Sequence, residues 1–446
     1  MKTTLENVTF RVSYPDISRS DEYYCRAENL IPGATQTLAK GPTQYVCGVA
    51  PKYLERGFGS HVWDVDGNRF IDYSMAVGPV SLGYCYQEVD SAIRQQLLKG
   101  ISFSLMHPLE VELAELLRTT IPNAEMVRYS KTGADVTSAA VRLARAYTNR
   151  NKVLCCGYHG WHDWYVSVTT RNQGIPEEVR SLTHTFEYNN IDSLYRALDE
   201  DTACVILEPV TFQAPENGFL DRVRHACTEN GTLLIFDEMW TGFRMAIGGA
   251  QEYFHVDADL ATFSKAVANG MPLSILSGKK DVMKLCDQDI FFYTTFGGET
   301  LSLTAAVATI KELRRRNVPA HIARLSGQLR DGYNEIARNL GMHYTRCIGL
   351  DYRTMVVFDS DCGNQLEMKS LVQQELIKHG ILWNGFHNIS YSHTDEDIKY
   401  TLAAYEEALQ TLREAVLHNR VTEMLRGTPV QPPFRKSTGF HTKPAL

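Results

Sequence analysis

Residues 261–278 read ATFSKAVANGMPLSILSG, two short runs of strand-forming residues, ATFSK (261–265) and SILSG (274–278), around a turn containing Asn269, Gly270 and Pro272. Apart from small hydroxyl side chains the runs are apolar, the composition of strands covered on both faces. Lys265 is the exception. A lysine ammonium rarely leaves water unless it is paired or used, although its aliphatic stem can also carry it to the surface.

Reading outward, MVRYS (126–130), KVLCC (152–156), ACVIL (203–207) and LLIFD (233–237) repeat the strand pattern. Helical periods lie between them. In TGADVTSAAVRLARAYT (132–148), Val136, Ala139, Ala140, Leu143, Ala144 and Tyr147 share one stripe. Strands alternating with helices predict an α/β fold with a mostly parallel central sheet flanked by helices. The flanks differ. HVWDVDGNRFIDY (61–73) places Asp-Gly between two β-like runs, a hairpin signal. The expected organisation is an N-terminal segment (1–74) packing with a smaller α+β domain, a large central domain (75–318), a C-terminal small domain (319–426) and an irregular Pro- and Gly-rich tail (427–446).

The 446 residues, 44% hydrophobic and 22% charged, suit an ordinary soluble globular chain of two or three domains. A net charge of −7 with no basic block argues against nucleic acid or an anionic membrane as partner. No apolar window approaches a membrane span, and Glu6, Arg11, Asp16 and Arg19 interrupt the segment where a signal peptide needs an apolar core. Ten cysteines without a CxxC pair do not form a disulfide framework, so a cytoplasmic location is expected.

Ligands of open α/β sheets gather at the carboxyl ends of the strands. The polar residues predicted there are Thr132, Gly133 and Ala134 after the first strand, Tyr158 and His159 after the second, then Glu208, Asp237 and Lys265. Each has an ordinary explanation: Thr132 or Asp237 as a helix cap, Tyr158 as a core ring. His159 and His162 lack further ligands at zinc-like spacing, so no metal is expected. Together the set matches one cofactor, pyridoxal 5'-phosphate (PLP). Its phosphate needs N–H donors at a helix start, its ring a flat neighbour, its pyridine nitrogen an anion and its aldehyde an amine.

At FDEMWTGFR (236–244), FSKAVANGMPLS (263–274), YHGWHD (158–163), EPV (208–210), TFGGETLS (295–302) and LIPGATQT (30–37) the sequence resembles the class III, fold-type-I aminotransferases, in their glutamate-1-semialdehyde aminomutase-like branch. The likeness runs over most of the chain. It implies that Lys265 forms the Schiff base with PLP, Asp237 pairs with the pyridine nitrogen, and Tyr158 and Met239 face the two sides of the ring. It implies that Thr132, Gly133 and Ala134 occupy the phosphate loop, Glu208 is the active-site glutamate, and Thr295 is lent to a partner's phosphate site in a homodimer. Candidate substrate contacts are Lys40, His159 and Arg435.

Three departures stand out. TGADV replaces the family's SGTEA, so Ala134 brings no hydroxyl; GGET replaces SGNP after Thr295; and Lys40 occupies the place of the arginine that grips the aminomutase substrate's carboxylate. An aminotransferase working between an amino donor such as glutamate and an aldehyde or ketone acceptor is therefore expected ahead of an aminomutase. Similar enzymes aminate oxo-sugars and aminoglycoside intermediates in antibiotic biosynthesis, and others eliminate or epimerise on amino sugars. A binding-only member would have lost Lys265 or Asp237, and a nicotinamide dehydrogenase would show GxGxxG opening a βαβ unit.

Overall fold

The computed structural model describes residues 13–431. Arg435 and most of the tail expected over 427–446 lie outside them. The chain divides into two compact units: residues 87–319, and residues 13–86 together with 320–431.

The 87–319 unit is built on a seven-stranded sheet: β1 (Met126–Ser130), β2 (Lys152–Cys156), β3 (Thr183–Thr185), β4 (Thr202–Leu207), β5 (Leu233–Asp237), β6 (Leu260–Phe263) and β7 (Ser274–Gly278), in the order β1-β7-β6-β5-β4-β2-β3. Strands β2 to β6 are mutually parallel, and β7 is antiparallel to both its neighbours. β1, antiparallel to an antiparallel strand, runs with the majority. Every residue of β4, β5, β6 and β7 is buried, which is why these strands read as continuous apolar runs. The helix Gly133–Thr148 lays Val136, Ala139, Ala140, Leu143 and Ala144 into the core. Tyr147, expected on the same stripe, is 45% exposed and donates instead to Asp281 at 2.7 Å.

In the other unit, strands Leu54–Phe58, His61–Asp64 and Arg69–Asp72 form an antiparallel sheet, extended by Ile381–Leu382 in parallel. Asp66-Gly67 makes the expected hairpin turn, with Asp64 Oδ1 accepting the N–H groups of Asp66 (3.1 Å) and Asn68 (2.7 Å). A second antiparallel sheet comprises Thr345–Ile348, Thr354–Phe358 and Phe386–His387, accompanied by the helices Gln365–Lys378 and Asp395–Leu417. The stretch 427–431 is tied down: Thr428 pairs with Cys47, and Val430 donates to Ser370 Oγ at 2.9 Å.

His387 sits in the core of this unit, 0% exposed, between Thr354 Oγ1 (2.9 Å) and the Tyr405 hydroxyl (2.7 Å). Burial, with His393 nearby, lowers its pKa to about 3. Unfolded, the imidazole takes its proton near pH 6.5; folded, it resists until about 3. Its contribution is thus fully present above pH 6.5 and is lost as pH falls, by about 3 kcal/mol at pH 4. Denaturant titrations at pH 7 and pH 4 should show His387→Asn losing that much less stability on acidification than the parent. Equal losses would show that His387 does not set the acid limb.

Candidate functional site

Because β1, β2, β4, β5 and β6 run in one direction, the residues leaving their carboxyl ends share one edge of the sheet. Tyr158 and His159 follow β2, Glu208 follows β4, Asp237 ends β5, and Lys265 lies just beyond β6.

Asp237 and His159 form the centre. Asp237 Oδ2 lies 2.8 Å from His159 Nδ1, and its Oδ1 accepts the Met239 N–H at 3.1 Å. Both residues are 2% exposed. Trp164 stacks along the imidazole (centroids 6.1 Å, planes at 15°) and Tyr165 meets it edge-on. Nε2, on the other side of the ring, is buried with no partner among the described residues. His159, expected among the substrate contacts, is enclosed against Asp237. Sequence spacing could not show it, since the two residues lie 78 apart with β3 and β4 between them.

Glu208 is 9% exposed and accepts the Tyr158 N–H at 2.6 Å. Burial first, and then the charge of Asp237, raise its pKa, while that N–H, His159 and Lys265 pull it down. Tyr158 keeps 46% exposure, resting edge-on against Tyr165; its ring is not a core ring.

At the start of Gly133–Thr148, Thr132 is the N-cap. Its hydroxyl accepts from Asp135 N (3.3 Å), and Asp135 Oδ2 accepts from Thr132 N (3.1 Å) and Ser130 Oγ (2.6 Å). The Thr132 side chain is engaged in capping, so what this turn offers an anion is the first-turn N–H groups of Gly133 and Ala134 and the positive end of a 16-residue helix. Gly133 also fits tightly under Met239: a Cβ there would lie 2.9 Å from Met239 Sδ. The phosphate-loop candidate and the ring-face candidate are thereby in contact.

Lys265 departs from the strand predicted to hold it. β6 ends at Phe263, and Lys265 opens a short 3₁₀ turn with φ +45°, in the left-handed region. Its Nζ lies over the Trp240 ring.

Thr295 is exposed on the segment between β7 and the helix Thr300–Arg316. Around it, Phe291, Tyr293 and Phe296 are also exposed, as are Leu98, Leu105 and Met106. Lys40 belongs to the other unit. It lies on a cavity of about 300 Å³ with Tyr45, Asp72, Ser74, Ala76 and Tyr84. Sequence reading missed this cavity's floor. Asp72 accepts from the Tyr84 hydroxyl (2.7 Å) and Ser74 N (2.7 Å) and anchors a run, Met75 to Gly78, with four successive positive φ angles. Only Gly78 in that run announces such a backbone.

Buried anion, helix-start amides, an open aromatic face and a lysine amine are together the donor set that a phosphorylated pyridine aldehyde requires, so the residues fit PLP.

Comparison with known proteins agrees. The profile of the family "Aminotransferase class-III" matches residues 47–415. The chain is 34% identical over 411 residues to a 3-aminobutyryl-CoA aminotransferase of Cloacimonas acidaminovorans, covering 89% of this chain and 98% of the relative. It is 35% identical over 427 residues to a glutamate-1-semialdehyde 2,1-aminomutase of Alkaliphilus oremlandii, covering 89% and 100%. Among solved structures, the FumI protein of Sphingopyxis sp. MTA144, in a form carrying PLP, superposes with a TM-score of 0.83 at 27% identity over 90% of this chain and 98% of that one.

Proposed function

The chain belongs to the class-III aminotransferases, PLP-dependent enzymes of fold type I, and from that footing we propose that it moves an amino group between an amino-acid donor such as glutamate and an aldehyde or ketone carried by a second molecule. The observation that carries the reading is the pairing of buried Asp237 with His159 at the end of β5, beside the Lys265 turn at the end of β6. Bound there, PLP supplies an aldehyde that bonds to amines and a pyridinium ring that withdraws electrons from the attached carbon.

The chain's own residues do the rest. Asp237, fixed by its contacts with His159 and the Met239 N–H, would face the pyridine nitrogen and hold a proton on it. Gly133 and Ala134 bind the phosphate through backbone N–H groups. Tyr158 and Met239 confine the ring. The Lys265 amine would anchor the aldehyde and, once displaced from it by the donor's amine, would take the proton from the donor's amino-bearing carbon and deliver it to the former aldehyde carbon on the far side of the nitrogen. Glu208, buried beside Asp237 and joined to Tyr158 N, orients the aromatic wall.

Two features bear on assembly and place. The exposed apolar side chains Leu98, Leu105, Met106, Phe291, Tyr293 and Phe296 suit coverage by a second copy, which would let Thr295 serve the partner's phosphate site in a homodimer. Ten free thiols, six of them buried, accord with the cytoplasm; among the described residues no helix is long and apolar enough to cross a membrane.

The resemblance places Lys40 where an aminomutase has the arginine that grips the substrate's carboxylate, and its identity bears on the choice between transfer to a second molecule and rearrangement within one. A lysine offers a small carboxylate a point charge rather than the two-pronged grip of an arginine, which favours transfer. Half-reactions test this. Purified protein is mixed singly with amino acids, and its pyridoxamine phosphate form with oxo-sugars, 3-oxoacyl thioesters or glutamate-1-semialdehyde, and loss of PLP absorbance or its return is followed. Conversion by glutamate and return by a separate oxo compound are expected, and an oxo-sugar as the best acceptor would support a place in antibiotic biosynthesis. Lys40→Arg should improve use of small carboxylates several-fold. Reaction only with glutamate-1-semialdehyde would make the protein an aminomutase.

A further inference from the structure

The roles above leave one contact of Lys265 unused. Its Nζ lies 3.3 Å from the centroid of the Trp240 ring, well inside the ~6 Å over which an aromatic face attracts a cation. The two side chains meet because their strands are neighbours. β5 and β6 run parallel with Asp237 opposite Thr262, so the turns leaving them begin side by side.

Both turns are fixed. After β5, Glu238 accepts the N–H groups of Ala250 (2.8 Å) and Gln251 (3.1 Å) and the Thr241 hydroxyl, and Gly242 N donates to Glu238 O at 2.9 Å. A side chain at Gly242 would collide with the Phe263 ring, so this turn packs directly on the last residue of β6. Phe243 then meets Phe263 edge-on at 5.6 Å. After β6, the backbone turns Lys265 into the left-handed region at φ +45°, a conformation that residues with side chains seldom adopt. That turn takes Lys265 out of the strand's alternation and toward the indole.

Glu208 feels the charge of the Lys265 amine, and also that of Asp237 and His159. Asp237 is answered by His159, and Glu208 is drawn toward its neutral form by burial and by Asp237. The indole adds an attraction for the ammonium that neither titrates nor competes for the proton. Met239 and Trp240 are adjacent, so a single turn would supply both a face for the cofactor ring and a station for the lysine.

We propose that Trp240 is a positioning residue for Lys265, its indole face holding in place and stabilising the ammonium that the side-chain amine becomes once it has taken the proton. The ring thereby raises the amine's proton affinity and fixes where the proton waits between its removal and its delivery. The proposal rests on the function proposed above for the covalent and proton-carrying roles of Lys265.

The test uses the full-length protein saturated with pyridoxamine phosphate, which cannot bond to Lys265. Pulses of trinitrobenzenesulfonate across pH 6 to 10, with the label at Lys265 counted by peptide mass spectrometry, give the amine's titration curve. Trp240→Leu should move the midpoint down by about half to one pH unit, a roughly three- to tenfold faster labelling on the acidic side, and Trp240→Phe by less. Because Trp240→Leu could disturb the turn, the parent sequence is also produced with fluorinated tryptophans, which weaken the ring's attraction without changing its shape. The midpoint should then fall stepwise with each added fluorine. Curves that superimpose in both series overturn the proposal.

Borohydride trapping of PLP on the same preparations separates the two claims. Trapping at Lys265 with unshifted curves removes only the role of Trp240. No trapping at Lys265 removes the proposed function, while the curves still decide the indole contact.

Discussion

Lys265→Ala should bind PLP without the visible absorbance of covalently attached cofactor, and its half-reaction with glutamate should slow by about 10²- to 10⁴-fold from the lost proton transfer alone. The effect is large because one amine has two duties in the proposed function: anchoring the aldehyde and moving the proton. It should also be local. Lys265 sits in a turn outside the β6 ladder, and its neighbours Ala266, Val267 and Ala268 are the buried residues, so truncating it leaves the core intact and the thermal midpoint nearly unchanged. Stopped-flow absorbance with glutamate checks the rate, and calorimetry checks the fold. A small primary amine added to the solution should restore part of the rate by replacing the missing base. Full activity in Lys265→Ala would show that another residue carries the proton.

The second large effect is expected at Asp237. Asp237→Asn preserves shape but removes the charge that the pyridine nitrogen requires, and PLP should become a poorer electron sink. A loss on the order of 10²- to 10³-fold in proton removal is expected, the scale on which one preorganised electrostatic partner registers. His159 should respond differently. It touches Asp237 through one 2.8 Å bond and is otherwise enclosed by Trp164 and Tyr165, so His159→Asn should loosen the placement of the carboxylate without removing it. That variant should lose less rate than Asp237→Asn, because the carboxylate stays and loses only one of its hydrogen-bond partners. Isotope exchange at the donor's carbon measures proton removal directly. No loss in His159→Asn would mean that His159 only fills space, and a loss as large as that of Asp237→Asn would mean that it does more than support the carboxylate.

How much of this could be read from sequence follows from what buries each element. The strands that carry the site were legible because a parallel sheet covered on both faces favours continuous apolar runs, and every residue of β4 and β5 is buried. β3 was not, because Thr183–Thr185 is a short edge strand of threonines and a histidine with no apolar signature. Lys265 was read as the last residue of a strand, since nothing in ATFSK marks a backbone that leaves the ladder after Phe263; a positive φ at a lysine has no compositional trace. Tyr147 fell on the helix stripe by period, but its hydroxyl found Asp281 at the surface.

The candidate site was legible as a set of strand ends and not as a set of bonds. Period and alternation place Asp237 and His159 at the same edge, yet they cannot say that one lies beneath the other, which is a property of strand order. Trp240 went unnoticed for the same reason. Its partner belongs to the next strand, and only the parallel register of β5 with β6 brings the indole under the lysine. The left-handed run from Met75 to Gly78 was invisible because Asp72, Tyr84 and the turn's own N–H groups stabilise it, not the intrinsic preferences of methionine, alanine and valine.

The claim that organises all of these expectations is covalent, and chemistry can read it without knowledge of the substrate. Protein purified with PLP is reduced with sodium borohydride, digested and mapped by mass spectrometry. A pyridoxyl phosphate group on the peptide containing Lys265, absent from Lys265→Ala, is the predicted result; the same label on another lysine, or none at all under saturating PLP, would contradict the account at its root.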